Sequence, residues 1–275
     1  MRLGSTRRAG IEMETLFRES ELIFGRDSKS QYPLYLYWLN WAVKVNKQDI
    51  AEGVFLRLKR SKNFEEATAS RISSIDWAMT YVRILSAVGN YREAAVTLKN
   101  IEILDIDTEN KLYGAVLHAE ILLKQKKYIQ ALIILEKPEW LTSEDDNWTG
   151  RKDWRIYKKY YTGVALYNLG RYAEAETLLL DAVETARSNF GAGHPRTAMI
   201  KVYCLIAHLS STKNYFLDDL KTRELMLAVD ALSSALPAES QQVAVAASLL
   251  NAVRSLDESK VKNAIFMLSH GDVFL

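Results

Sequence analysis

LSAVGNYREAAVTLKN (85–100), LLKQKKYIQALIILEK (122–137) and LYNLGRYAEAETLLLD (166–181) share one order of residues. Each runs aliphatic residue, tight turn, Tyr, two residues, Ala, three residues, Leu. The aliphatic residue before the turn ends one helix, and the Tyr opens another. Ala and Leu four apart then fall on one face of that second helix. A small Ala lets two helices approach, and the Leu fills the seam toward the next pair. The order therefore predicts a helical hairpin, repeated along the chain. One such hairpin cannot bury its own apolar face, so repetition predicts stacking into an all-α solenoid.

The rest of the chain agrees. Its 275 residues are 48% hydrophobic and 25% charged, which suits a folded chain with a large core and not a disordered one. Only 12 Gly and 4 Pro are present, too few for the turns of a many-stranded sandwich or barrel. The net charge of +2 gives no global field for nucleic acid or an anionic membrane. Cys204 is the single cysteine, which excludes an intrachain disulfide and a cysteine-based zinc cluster. It lies in the apolar helical stretch MIKVYCLIAHL, where a buried, inert thiol is expected. MRLGSTRRAG at the start has no apolar core behind it and does not read as a secretory signal. No stretch approaches the ~20 apolar residues of a membrane span. A cytoplasmic protein without a membrane partner is expected.

The periodicity places a flexible arm at 1–10, a short helix at 11–24 and a break near 25–33. Helical hairpins are expected near 34–61, 69–104, 109–136, 154–188, 195–236 and 239–268, so 34–275 reads as one repeat domain. The turns fall at 46–49, Gly89-Asn90, Lys124–Lys127 and Gly170-Arg171. Gly suits a helix end because it adopts the left-handed conformation without a Cβ clash. In the third hairpin the run KQKK stands in its place. KPEWLTSEDDNWTGRKDW (137–154) is non-periodic and reads as an insertion. Pro195 suits the first turn of a helix, and the return helix near Asp218–Leu236 lacks the Tyr-Ala-Leu signature.

These residues resemble tetratricopeptide repeats, whose pattern is W-x₂-L-G-x₂-Y…A-x₃-F…P. Tyr91/Ala94/Leu98, Tyr128/Ala131/Leu135 and Tyr172/Ala175/Leu179 carry the second half. Gly163 with Leu166 carries the first half well, Ala119 with Leu122 less well, and Val82 with Leu85 least. The ending SNFGAGHPRT is similar to the longer-period variety seen in kinesin light chain and many bacterial repeat proteins. Ala94 to Ala131 is 37 residues and Ala131 to Ala175 is 44, against about 34 for the usual repeat.

The resemblance implies an α-α superhelix of about five to six hairpins whose first helices line a concave groove. Carried over residue by residue, it implies groove positions at Asp76, Met79 and Arg83, then Tyr113, Glu120 and Lys124, then Tyr157, Tyr160, Tyr167 and Asn168. Leu39, Val43 and Asn46 would come from the first hairpin. Tyr offers a large apolar contact with a hydrogen-bonding tip, which suits an extended or helical peptide. Against this stands packing of the same tyrosines on the next repeat. Repeats that clamp a chaperone's C-terminal carboxylate carry Lys and Asn four apart on the first helix. Leu39/Val43, Met79/Arg83, Val116/Glu120 and Tyr160/Val164 do not fit, which disfavours that role.

No catalytic, cofactor-binding or metal-ligating residues are nominated. His118, His194, His208 and His270 have no partner at metal-ligand spacing. GAG at 191–193 is too short to cradle a phosphate, and GxSxG and HExxH are absent. Arg151, Lys152, Arg155, Lys158 and Lys159 interleave with Trp154, Tyr157, Tyr160 and Tyr161. Such a mixture can bind nucleic acid, but a solvated helix face with inward aromatics is the simpler reading, so nucleic acid is disfavoured. The expectation is a non-enzymatic module for a protein or peptide partner, with no cofactor and a homodimer left open. A regulatory half of a bacterial transcription activator or signalling system, and a secretion or assembly chaperone, are the rival readings.

Overall fold

The computed structural model describes residues 3–25, 28, 31–44, 48–60, 75–102, 108–136, 153–236 and 240–270. Among these residues every regular element is a helix: thirteen helices and no strand. Of the insertion expected at 137–154, residues 137–152 lie outside them, and of the turn expected at 46–49, Asn46 and Lys47 do; Gln48 already opens the next helix. The chain divides into two compact units, 1–106 and 107–275.

The first unit holds α1 (Leu3–Phe24), α2 (Tyr32–Lys44), α3 (Gln48–Arg60), α4 (Ile75–Ala87) and α5 (Tyr91–Glu102). α1 starts at Leu3, so the helix takes in residues 3–10 of the stretch expected as an arm. α2 pairs with α3 and α4 with α5, and α2 also touches α4. Leu39, Ala42, Ala51 and Val54 close the first pair, and Val82, Leu85, Ala94 and Leu98 the second. The rings of Phe55 and Tyr81 meet at 6.2 Å between the pairs.

The second unit holds α6 (Thr108–Lys124), α7 (Tyr128–Leu135), α8 (Asp153–Asn168), α9 (Tyr172–Phe190), α10 (Pro195–Thr212), α11 (Asp219–Ala235), α12 (Gln241–Arg254) and α13 (Glu258–His270). They form four hairpins in chain order. α8 packs on both α6 and α7, α10 on α9, and α12 on α11. Each hairpin's first helix thus seats against the pair before it, and one core runs without a break from Leu112 to Ile265. That is the nearest-neighbour logic of a helical-repeat array.

Three turns repeat atom for atom. Asn90 N–H donates to Leu85 O (2.8 Å) and Gly89 N–H to Ser86 O (3.2 Å). Lys127 and Lys126 donate likewise to Leu122 and Leu123 (both 2.8 Å), and Arg171 and Gly170 to Leu166 and Tyr167 (both 3.0 Å). Each is a Schellman closure built on a left-handed residue. That residue is Gly89 at φ 76°, Lys126 at 59° and Gly170 at 78°. KQKK therefore makes the same turn as the glycines, at the cost of a crowded Cβ on Lys126. Leu256 at φ 52° holds the corresponding turn between α12 and α13.

Inside the α8–α9 hairpin the Leu179 side chain lies directly against Gly163. A Cβ there would stand 2.6 Å from Leu179 Cγ. Ala175 and Leu179 are fully buried in the same contact, which is what the glycine-and-alanine spacing requires.

α10 and α11 lack the signature and are anchored by caps. His194 Nδ1 accepts the Arg196 N–H (3.2 Å), with Pro195 in the first turn. Asp218 Oδ1 accepts the Lys221 N–H (2.7 Å) at the start of α11. Each satisfies a helix-end donor that would otherwise go unpaired.

Candidate functional site

Three first helices of the second unit, α6, α8 and α10, are linked by a chain of polar and aromatic side chains. Glu120 on α6 takes Lys124 on one oxygen (2.9 Å) and the Tyr161 hydroxyl of α8 on the other (3.0 Å). The Tyr161 ring lies near-parallel to Tyr157 at 6.2 Å. The Arg196 guanidinium of α10 sits 5.4 Å from the Tyr157 ring and 5.5 Å from that of Phe190, a cation against two π faces. Phe190 in turn stacks on His194 at 4.9 Å. SNFGAGHPRT is thus a packed corner: one ring carries the arginine, and one histidine both stacks and caps.

Burial sets the electrostatics. Glu120 and Lys124 are mostly covered, so the pair is neutral as a unit and poorly screened by salt. Burial first, and the Glu120 charge second, push the Tyr161 phenol well above its ordinary value. The hydroxyl therefore stays protonated and donating. Burial pulls the Lys158 ammonium down, opposed by the Glu136 charge.

The nominated residues fall into three groups. Tyr113, Glu120, Lys124, Tyr157 and Asn168 lie half-buried on α6 and α8. Asn168 Nδ2 donates to Val164 O (2.9 Å) within its own helix. Tyr160 and Tyr167 are 0% and 6% exposed. Tyr160 packs edge-on against Tyr203 of α10 at 5.5 Å, and the Tyr167 hydroxyl meets Ser210 Oγ of α10 at 3.2 Å. Those two rings fill the seam between hairpins. Burial pushes the Tyr167 phenol up to about 12. Arg83 is exposed on α4 in the first unit, where Met79 is buried. The side chains of Asp76 and Val43 lie outside the described ones.

The sequence reading passed over Tyr161 as a site residue, although it stands one turn from Tyr157. It also passed over the cluster where Glu176 of α9 meets His208 Nδ1 (2.8 Å) and accepts the Ser211 hydroxyl, both on α10. A carboxylate 32 residues away from its histidine leaves no spacing signal. Here the serine donates to the carboxylate, not to the imidazole, so the trio is a clamp between helices and lacks the geometry of a nucleophile and its base.

Other candidates resolve into packing. Lys159 is paired with Asp181 of α9 (2.8 Å), and Arg155 lies over Trp154 at 5.5 Å. Cys204 is buried, and burial pushes its thiol up to about 11. Among the described residues no group of three or more His, Cys, Asp and Glu is placed to hold a metal ion. No helix there is long and apolar enough to cross a membrane.

Residues 163–196 match the family model described as Tetratricopeptide repeat. The match runs from Gly163, through Ala175 and Leu179, to the corner at Arg196, so it covers the best-formed repeat. It supports a chain of the tetratricopeptide type. No curated protein and no solved structure gives a significant match.

Proposed function

We propose that the chain is a non-enzymatic interaction module of the long-period tetratricopeptide kind. It holds a protein or peptide segment against the inner wall of its first helices. The observation that carries this is the repeated hairpin itself, with its family match at 163–196. Repeats of that type are protein-binding scaffolds. Tyr113, Tyr157, Asn168 and the Glu120–Lys124 pair support the reading, because they keep accessible surface on α6 and α8. Arg83, and Asp76 seven residues before it, would offer a second contact on α4. Tyr160 and Tyr167 would stiffen the wall from behind.

The test uses Tyr113→Ala with Tyr157→Ala, and separately Lys124→Glu, in the full chain. Tyr160 is avoided because its loss would read as misfolding. Wild type and variants are used for affinity purification from the native host, followed by mass spectrometry. Partners enriched by the wild type should be lost from both variants while the helical circular-dichroism spectrum is kept. An unchanged partner list would sink the inner wall as the contact surface.

A further inference from the structure

Charge is sparse on the inner wall proposed above. On α6, Tyr113, Leu117, Glu120 and Lys124 fall on one stripe, at intervals of four, three and four residues. The matching stripe of α8 is Tyr157, Tyr161, Val164 and Asn168, set in register by the turn acceptors Leu122 and Leu166. That of α10 is Ile200, Cys204, Ala207 and Ser211, set in register by the contacts Tyr160–Tyr203 and Tyr167–Ser210. Across all three helices this stripe holds one acid and one base. They are Glu120 and Lys124, 2.9 Å apart, with the Tyr161 hydroxyl on the other carboxylate oxygen.

Charges beside the stripe are matched as well. Lys159 and Lys201 turn to Asp181 and Glu224 on second helices (2.8 and 2.9 Å). Lys158 lies within reach of the Glu136 charge. Glu176, next to Ser211, is held by that serine and by His208. Lys111 and Arg155 stand two residues before Tyr113 and Tyr157, about 200° round their helices. In the first turns Glu109, Asp153 and Arg196 hold the register of the stripe. The side chains of Glu109 and Asp153 lie outside the described ones, and a helix N-terminus offsets an acid at such a position. Arg196 lies on the Tyr157 and Phe190 rings. A charged side chain of a partner would therefore give up water without meeting an opposite charge that lacks a match, which costs more than it returns. Tyr113, Tyr157 and Asn168 keep accessible surface here, two rings and an amide. We infer that the segment held at this wall is an uncharged, apolar stretch of a partner protein, bound through rings and amides and not through ion pairs. This rests on the inner-wall reading above.

The probes are three labelled, end-capped peptides of about eight residues, long enough to cross three helices about 9 Å apart. Each alternates Leu and Tyr with a polar residue: Gln in one, Glu in the second, Lys in the third. Fluorescence anisotropy with the full chain should give the Gln peptide an affinity at least about tenfold above either charged one. That affinity should change by less than about twofold between roughly 50 and roughly 500 mM NaCl. Tyr113→Ala with Tyr157→Ala should weaken it about tenfold. Ile129→Ser with Ile133→Ser, an exposed apolar pair on α7, should leave it unchanged. Lys124→Met leaves the Glu120 charge without its base, so the Lys peptide should gain about tenfold on the Gln peptide. Tighter binding of the Glu or Lys peptide to the wild type overturns the inference, as do equal affinities, a strong salt dependence, or no binding of the Gln peptide. If a charged peptide wins while the tyrosine changes still strip partners in the purification above, the inner wall stands and only its neutrality falls.

Discussion

Cys204 shows how burial alone sets the chemistry of a residue. Its neighbours on α10 are apolar, and charging the thiol there costs more than in water, so its value rises from about 9 to about 11. Lys201 opposes that rise, and Glu176 and Glu224 add to it. The sign of the pH effect follows. The unfolded chain ionises its thiol near pH 9 while the folded chain keeps the proton, so this stabilisation is complete below pH 9 and declines as pH climbs toward 11. Two units correspond to roughly 2–3 kcal/mol. Urea midpoints at pH 8 and pH 10.5 should therefore fall further for the wild type than for Cys204→Ala. Buried tyrosines add their own alkaline loss to both proteins, so the difference between the two is the quantity to read. Parallel declines would show that the thiol does not contribute.

At the scale of the element, the turns are one structure written in different residues. Gly89 and Gly170 take the left-handed conformation readily, whereas Lys126 and Leu256 carry a side chain there. Lys126→Gly and Leu256→Gly should each stabilise by about 0.5–1 kcal/mol, since the Cβ strain removed exceeds the added backbone freedom of the unfolded chain. Gly170→Ala should destabilise by about 1 kcal/mol. Thermal melts of the three variants check both signs together. If all three substitutions shift stability the same way, the shared closure is not what sets it. The hydrogen bonds of these turns could be anticipated from the sequence, because a helix end depends on residues five apart. KQKK was recognisable as a turn for the same reason, although no residue in it favours the conformation.

For the molecule as a whole, the two compact units, 1–106 and 107–275, each have helix pairs and a core of their own. Stability in such arrays is a sum of local terms, so unfolding should not be a single step. Gly163→Ala gives this a local probe. Its new Cβ meets Leu179 Cγ at 2.6 Å, and overpacking of this kind costs about 1–3 kcal/mol, partly offset by the better helix propensity of Ala. Hydrogen exchange should show lost protection in 107–275 and unchanged protection in 1–106. Loss spread evenly over both would mean that the chain opens as one unit.

What the sequence determined by itself was everything that depends on neighbours within a few turns. Helix against turn, the hairpin, the small residues at the close contact and the family resemblance all follow from spacings of three to eight residues. Rotation of one helix against another placed forty residues away was decided only by the tertiary structure. Tyr160 and Tyr161 are adjacent in the chain and about 100° apart on the helix. One fills the seam against Tyr203, and the other crosses to Glu120. Both choices are set by where α6 and α10 come to rest, and no local spacing encodes that.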